Sequence, residues 1–262
     1  PGSWRPTSEY LKSAAADVVL AQETKTRRGP PQKDAEQAVR SIHWTASLEP
    51  CLTTAADGSS AGAAVCVRSC IGITEPCGEE CKNDNESGRF ILRHISAVLK
   101  GGIAVGSAYM HCSIGISHCR NLDLLHSIAA RLRLCDRPWV VGGDWQCSPE
   151  DLQATGWPQL VRGTIVRARD ATCNGKCIDY FIVSNSVAHL VHDIGIVADP
   201  GWRTGVSAQH WPTRLVINSG HRRTMVRRIK APRGFPAAVP YGPPNKPCTT
   251  TEAFEQELSE WS

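Results

Sequence analysis

The sequence predicts an α+β chain in which two packed β-sheets are flanked by helices. Two observations carry that expectation. Short runs rich in Val, Ile, Leu and Ala recur along the chain, bounded by Gly, Asn and Asp. Between them lie a few stretches with apolar residues at helical spacing, which is the element mix of sheets covered by helices. With 262 residues, 41% of them hydrophobic, the chain is long enough to bury a core of that size.

The elements follow in order. Ser8 to Ala16 reads as a short helix with Thr7 or Ser8 as its N-cap. Val18-Val19-Leu20 reads as a buried strand ending at Gln22-Glu23, and Pro31 to Ile42 as a polar amphipathic helix with Pro in its first turn. Ala61 to Val67 and Phe90 to Leu99 read as strands separated by a polar loop rich in Gly, Asn and Glu, with Ile103 to Met110 a further strand. Cys119 to Leu134 repeats apolar side chains at Leu122, Leu125, Ile128, Ala129 and Leu132, a helical period. Trp139 to Gly142 is a short apolar strand running into Asp144. Ile178 to Val183, Leu190 to Val197 and Arg214 to Ile217 complete the strands.

After Gly220 the composition changes. His221 to Arg233 is strongly basic and Pro232 to Pro247 is rich in Pro and Gly. Residues 1–220 are therefore expected to form the folded domain, and 221–262 a basic, then Pro-rich, linker or tail. No run of eighteen apolar residues occurs, so no membrane span is expected. The net charge of +4 suits a polyanionic partner without demanding one. The first residue is Pro1, and a fragment of a longer polyprotein or a processed product is the expectation drawn from it.

The twelve cysteines include three pairs four residues apart, Cys66/Cys70, Cys77/Cys81 and Cys173/Cys177. Several (Cys66, Cys112, Cys135) fall in or beside apolar runs, where a free thiol behaves as a small hydrophobe. Reduced, structural cysteines rank first, zinc ligation second and disulfides third.

Four segments place chemistry at strand ends: Leu20-Ala21-Gln22-Glu23, Gly142-Gly143-Asp144-Trp145-Gln146, Ile178-Asp179-Tyr180-Phe181 and Ser207-Ala208-Gln209-His210-Trp211-Pro212. Singly, each has a plain structural reading: a Gly-Gly-Asp turn, a solvated loop acid, a histidine before a strand. Asp179 is harder to dismiss, because an acid between Ile178 and Tyr180 needs a partner when buried. Together they suit phosphodiester hydrolysis. Hard cations take carboxylate oxygens, water and phosphate, which Glu23 and Asp144 could serve. A histidine oriented by a carboxylate supplies the base that activates water.

The ordered set Gln22-Glu23, Tyr109, Gly143-Asp144-x-Gln146, Ile178-Asp179-Tyr180 and Gln209-His210 resembles the endonuclease/exonuclease/phosphatase family, with retroelement-type and abasic-site endonuclease domains nearest in pattern. The resemblance runs from about Val18 to Ile217. It implies the DNase I-like fold, a four-layer α/β/β/α sandwich of two mostly antiparallel sheets. The first strand of that fold, with its active-site Asn, would precede Trp4. It further implies that Glu23 binds the metal, that Tyr109 contacts the scissile phosphate, and that Asp144 handles the attacking water or leaving group and assists the metal. Asp179 would orient the catalytic histidine, His210. Ser60 to Val65 looks like the family's Ser-Gly-Gly-Val-Ala strand.

Two positions depart from the family pattern. Gly-Asp-Phe-Asn reads Gly143-Asp144-Trp145-Gln146, leaving Gln146 as the catalytic and substrate-binding amide one methylene farther out. Ser-Asp-His reads Ala208-Gln209-His210, leaving Gln209 at the place of a carboxylate near the metal. The implied cofactor is Mg²⁺ or Mn²⁺ and the implied partner is nucleic acid, DNA before RNA. The implied activity is DNA nicking, as in the endonuclease part of a non-LTR retroelement polyprotein; such an origin would place the chain inside the cell, in the nucleus. Two alternatives are a phosphatase of inositol phosphates or other phosphoesters, and a pseudoenzyme that only binds nucleic acid.

Overall fold

The computed structural model describes residues 4–53, 58–75, 88–198 and 210–218. Gln209, the basic and Pro-rich stretches beyond residue 220, and the expected boundary between domain and tail lie outside them.

The elements are α1 (Arg5–Ser13), β1 (Val18–Gln22), α2 (Pro30–Arg40), β2 (Trp44–Glu49), β3 (Leu52–Thr53), β4 (Ser59–Ser60), β5 (Ala63–Arg68), β6 (Ile73–Thr74), β7 (Phe90–Ile95) and β8 (Ile103–Tyr109). They continue with α3 (Cys119–Leu134), β9 (Trp139–Asp144), α4 (Pro149–Ala154), α5 (Trp157–Leu160), β10 (Gly163–Val166), β11 (Asp179–Ser184), α6 (Asn185–Ala188), β12 (Val191–Ile196) and β13 (Thr213–Ile217). One sheet runs β10-β11-β9-β8-β7-β6 and a second β1-β5-β2; β12 pairs with β13, and β3 with β4. The pairing is antiparallel throughout the described ladders except between β8 and β9, which α3 connects as a crossover.

Period-two alternation builds the layers. Along β5, Ala63, Val65 and Val67 point into a core shared with Ile91, Ile95, Val105, Val140 and Val183 of the larger sheet, and Leu20, Leu215 and Ile217 pack onto it. The intervening Ala64 and Cys66 face the other way, onto Leu11, Ala35, Val39 and Trp44. On the far face of the larger sheet, Leu92, Ala104, Ala108, Trp139 and Val141 meet Leu124, Leu125, Ile128, Ala129 and Leu132 of α3. The order is therefore helices, sheet, sheet, helices, the α/β/β/α sandwich that the sequence predicts.

The differences are local. α1 begins at Arg5, three residues earlier than the expected Ser8, and Ser8 N–H already donates to Trp4 C=O at 2.8 Å. Trp4 is the N-cap without a side-chain cap bond, and the extended Ala14 ends the helix. The strand expected over Phe90 to Leu99 stops at Ile95, and Val98 adopts a φ of 70°, which a β-branched residue in a strand does not. β2, β10 and the short helices α4 and α5 escape the apolar-period reading. α4 carries its own signal, an N-cap at Ser148 whose Oγ accepts from Asp151 N–H at 3.0 Å, followed by Pro149 and Glu150 in the first turn.

One buried polar residue fixes the loop after β8. Asn121, 1% exposed, accepts from His111 N–H at 2.8 Å and donates to the carbonyls of His111 (3.1 Å) and Gly115 (2.8 Å). Asn121→Ala strands those backbone groups, and its expected cost is about 2 kcal/mol by urea denaturation. Loss of under a few tenths would show that the loop finds other partners.

Candidate active site

The strand register brings three polar side chains to one rim. Tyr109 at the end of β8 pairs in register with Asp144 at the end of β9, and Asp144 pairs with Asp179 at the start of β11. Gly143 lets the chains close there, since a Cβ on it would lie 2.6 Å from the Ala108 carbonyl. Trp145, fully buried, anchors the turn that follows: its indole N–H donates to Tyr180 C=O at 3.0 Å and its ring stacks on Tyr180 at 5.7 Å.

Glu23 arrives from the other sheet. It follows β1 in a left-handed conformation, φ 51°, and its Oε1 accepts from the Tyr109 hydroxyl at 2.7 Å. β1 is tied to β8 by Gln22, whose amide donates to Ser107 Oγ at 2.9 Å, while that hydroxyl donates to Ala21 C=O at 2.9 Å. Lys25 Nζ lies 4.0 Å from the second Glu23 oxygen.

His210 meets Asp179 through Nδ1, at 3.0 and 3.1 Å from the two carboxylate oxygens. That bond holds the imidazole above its ordinary pKa; burial pulls against it, and the carboxylates of Asp179, Asp144 and Glu23 add to the rise. Asp144 is 7% exposed, and its carboxyl is pushed up to about 6, by burial first and by the neighbouring Asp179 second, with His210 and Gln146 opposing. Gln146, at φ 53°, donates its side-chain amide to Asp144 Oδ2 at 2.6 Å and its backbone N–H to Oδ1 at 3.3 Å. Burial, with the bonds to Cys112 and Glu23, also raises the Tyr109 hydroxyl, which keeps it a proton donor.

Asp144, Asp179 and His210 each offer a ligand atom within 4.8 Å of the others, a donor group that could hold a cation. Glu23 stands apart from that compact group and joins it through Tyr109. Gln209, the other expected metal-side residue, lies outside the described residues.

Three side chains that the sequence does not mark as site residues lie beside these: Arg89, and two cysteines read from the sequence only as thiols, Cys112 and Cys173. Arg89 is buried, donates to the carbonyls of Tyr109 (3.5 Å) and Met110 (3.2 Å), and lies over the Tyr109 ring at 4.8 Å. Cys112 Sγ lies 3.1 Å from the Tyr109 hydroxyl, and Cys173 Sγ 3.4 Å from His210 Nε2. The nine cysteines among the described residues are free thiols. A cleft of about 560 Å³ beside Gln146 is lined by Arg167, Arg169 and Lys176, with Glu150 and Asp151 on its wall.

No protein-family model matches the sequence, and no curated protein matches it. Its likeness to known proteins is one of structure, and the fold is DNase I-like. The 3′ phosphatase NExo from Neisseria, bound to a product DNA hairpin, superposes with a TM-score of 0.60 at 14% identity over 83% of this chain and 96% of that one. The AP endonuclease LMAP from Leishmania major gives 0.60 at 16%, over 81% of each chain. An AP endonuclease from Archaeoglobus fulgidus gives 0.57 at 18%, over 82% of this chain and 96% of that one.

Proposed function

We propose that this chain is a divalent-cation-dependent phosphodiesterase that nicks DNA, with His210 as its base and the Glu23–Tyr109 and Asp144–Asp179 pairs around the phosphate. The observation that carries the reading is convergence: Glu23, Tyr109, Asp144, Asp179 and His210 come from five separate segments to one rim. Structural neighbours named as a 3′ phosphatase on a DNA hairpin and as AP endonucleases support phosphoester chemistry on DNA. The basic segment His221 to Arg233 adds charge suited to phosphates, in keeping with the endonuclease part of a retroelement polyprotein.

The donor set fits a hard cation. Its oxygens come from Asp144 and Asp179, with Glu23 nearby on Tyr109. The Asp144 carboxyl is pushed up by burial first and by the Asp179 charge second, the second of which a cation would relieve. Mg²⁺ or Mn²⁺ held by Glu23 and Asp144 would polarise a phosphoryl oxygen. The remaining work belongs to the protein. Asp179 fixes the tautomer of His210, leaving Nε2 to take a proton from water. The Tyr109 hydroxyl, held by Glu23 and backed by Arg89, is a donor for a phosphate oxygen. Gln146 positions Asp144 and offers its amide to the substrate, and the cleft bearing Arg167, Arg169 and Lys176 extends the positive surface beside it.

Supercoiled plasmid and soluble inositol phosphates, each with Mg²⁺, test the proposal. The expected result is conversion of plasmid to open circles, falling steeply with salt. Phosphate release from inositol phosphates with no nicking would replace it with the phosphatase reading. Salt-sensitive DNA binding with no turnover of either substrate would make the chain a pseudoenzyme.

A further inference from the structure

The bond to Asp179 uses one imidazole nitrogen of His210, and the other faces a thiol. Cys173 Sγ lies 3.4 Å from His210 Nε2, and Cys173 is 7% exposed. The contact is built into the backbone. Cys173 and Lys176 exchange both backbone hydrogen bonds, at 2.9 and 2.7 Å, around Asn174 (φ 44°) and Gly175 (φ 76°), the two left-handed residues of a tight hairpin turn. Cys173 in turn pairs with His210 across an antiparallel bridge, and Trp211 N–H donates to Thr172 C=O at 2.7 Å beside it. Residues so paired present their side chains to each other.

The spacing and the donors match a known coordination chemistry. Zinc binds thiolate sulfur at about 2.3 Å and imidazole nitrogen at about 2.0–2.1 Å, so the two donors in a tetrahedral site stand about 3.6 Å apart. The observed 3.4 Å needs an adjustment of only a few tenths of an ångström. A histidine that ligates zinc usually gives its other ring N–H to a carboxylate. Here Nδ1 lies 3.0 Å from Asp179 Oδ2. The compact donor group at this rim is Asp144, Asp179 and His210, without Cys173, so the protein's own donors to such a cation are Cys173 Sγ and His210 Nε2, and water fills the remaining positions.

We propose that Cys173 and His210 form an inhibitory site for a thiophilic divalent cation of the zinc class, with Asp179 orienting His210 behind it. The role as inhibitor rests on the reading of His210 as the base. A cation on Nε2 withdraws the lone pair that would accept the proton from water. On binding, the Cys173 thiol gives its proton to solvent, and sulfur and nitrogen each donate a pair to the cation. Mg²⁺ prefers oxygen donors and leaves the thiol alone, so the two cations have opposite effects on one rim.

The test uses Co²⁺ as a spectroscopic stand-in for zinc, titrated into the metal-free, reduced full chain. A thiolate-to-cobalt charge-transfer band is expected in the near ultraviolet, lost in Cys173→Ser and kept in Cys112→Ser. In the nicking assay with Mg²⁺, the zinc concentration giving half inhibition is expected to rise by roughly tenfold or more in Cys173→Ser. An unchanged band, or equal zinc sensitivity in wild type and Cys173→Ser, overturns the proposal. Should Cys173→Ser fail to fold, His210→Gln gives the same spectroscopic test: a band identical to wild type overturns the site. The band needs no substrate, so a Cys173-dependent band without nuclease activity removes the phosphodiesterase reading and keeps the cation site. Nicking without such a band does the reverse.

Discussion

His210→Ala is expected to lower Mg²⁺-dependent nicking of supercoiled DNA by on the order of 10²–10⁴-fold, the range that a positioned general base contributes. The fold should persist, because His210 is only partly buried and its described side-chain contacts are with Asp179 and Cys173. The pH dependence carries a sharper expectation. A base must be neutral to act, and the bond to Asp179 holds His210 above its ordinary value of 6.5, so the rate should rise with pH through a midpoint above 6.5. Asp179→Asn removes the largest cause of that shift and should move the midpoint down while lowering the plateau. Glu23→Ala should also abolish nicking, and in addition weaken metal affinity, since it takes a carboxylate from the metal side. Nicking at the wild-type rate by either alanine variant would dismiss the mechanism.

The layers were more legible in the sequence than the contacts between them. α3 was readable to its ends because Leu125, Ile128, Ala129 and Leu132 bury one face at strict helical spacing. β5 and β8 were readable as apolar runs because both of their faces are covered. β2 and β10 are half-exposed, so alternation there is diluted by Thr, Ser and Glu and gives no clear period. At the site, the strand-end positions of Glu23, Asp144 and Asp179 could be read from apolar runs stopping at an acid. Their chemistry could be read in outline, as carboxylates for a hard cation and a partner for a histidine, while the role expected of each residue came through the family resemblance. Spacing could not reveal that Tyr109 meets Glu23, 86 residues away, because that contact depends on how two sheets stack. Arg89 gave no signal either: an arginine before a strand is ordinary, and only the fold lays it over the Tyr109 ring. Cys173 did have one. Asn174-Gly175 is a strong two-residue hairpin signal, and it marks the residues on either side as cross-strand partners.

Asp144→Asn is expected to abolish activity and yet stabilise the protein, a combination that separates function from folding at one atom. Asp144 sits between Tyr109 and Asp179 in the strand register, nearly out of contact with water. Burial, and then the Asp179 charge, push its carboxyl from 3.8 up to about 6. A group whose pKa is raised on folding contributes stability that is complete below its unfolded value, here near 4, and is lost as pH rises through about 6. At pH 7.5 the carboxylate is therefore ionised against the preference of the fold, at a cost on the order of 2 kcal/mol, given 1.36 kcal/mol for each unit of pKa and a discount for the solvent that still reaches the carboxylate. Asparagine has the same shape, keeps an oxygen to accept from Gln146, and carries no charge. In EDTA at pH 7.5 the variant should melt about 4–8 °C above wild type, a margin that closes as pH falls through 6 toward 4. Mg²⁺ should then raise the melting temperature of the wild type and leave Asp144→Asn nearly unmoved, because a ligand stabilises only the state that binds it. A variant less stable than wild type at pH 7.5, or a margin that ignores pH, would mean that the carboxylate is there to hold β9 in place and that the charge has no task beyond it.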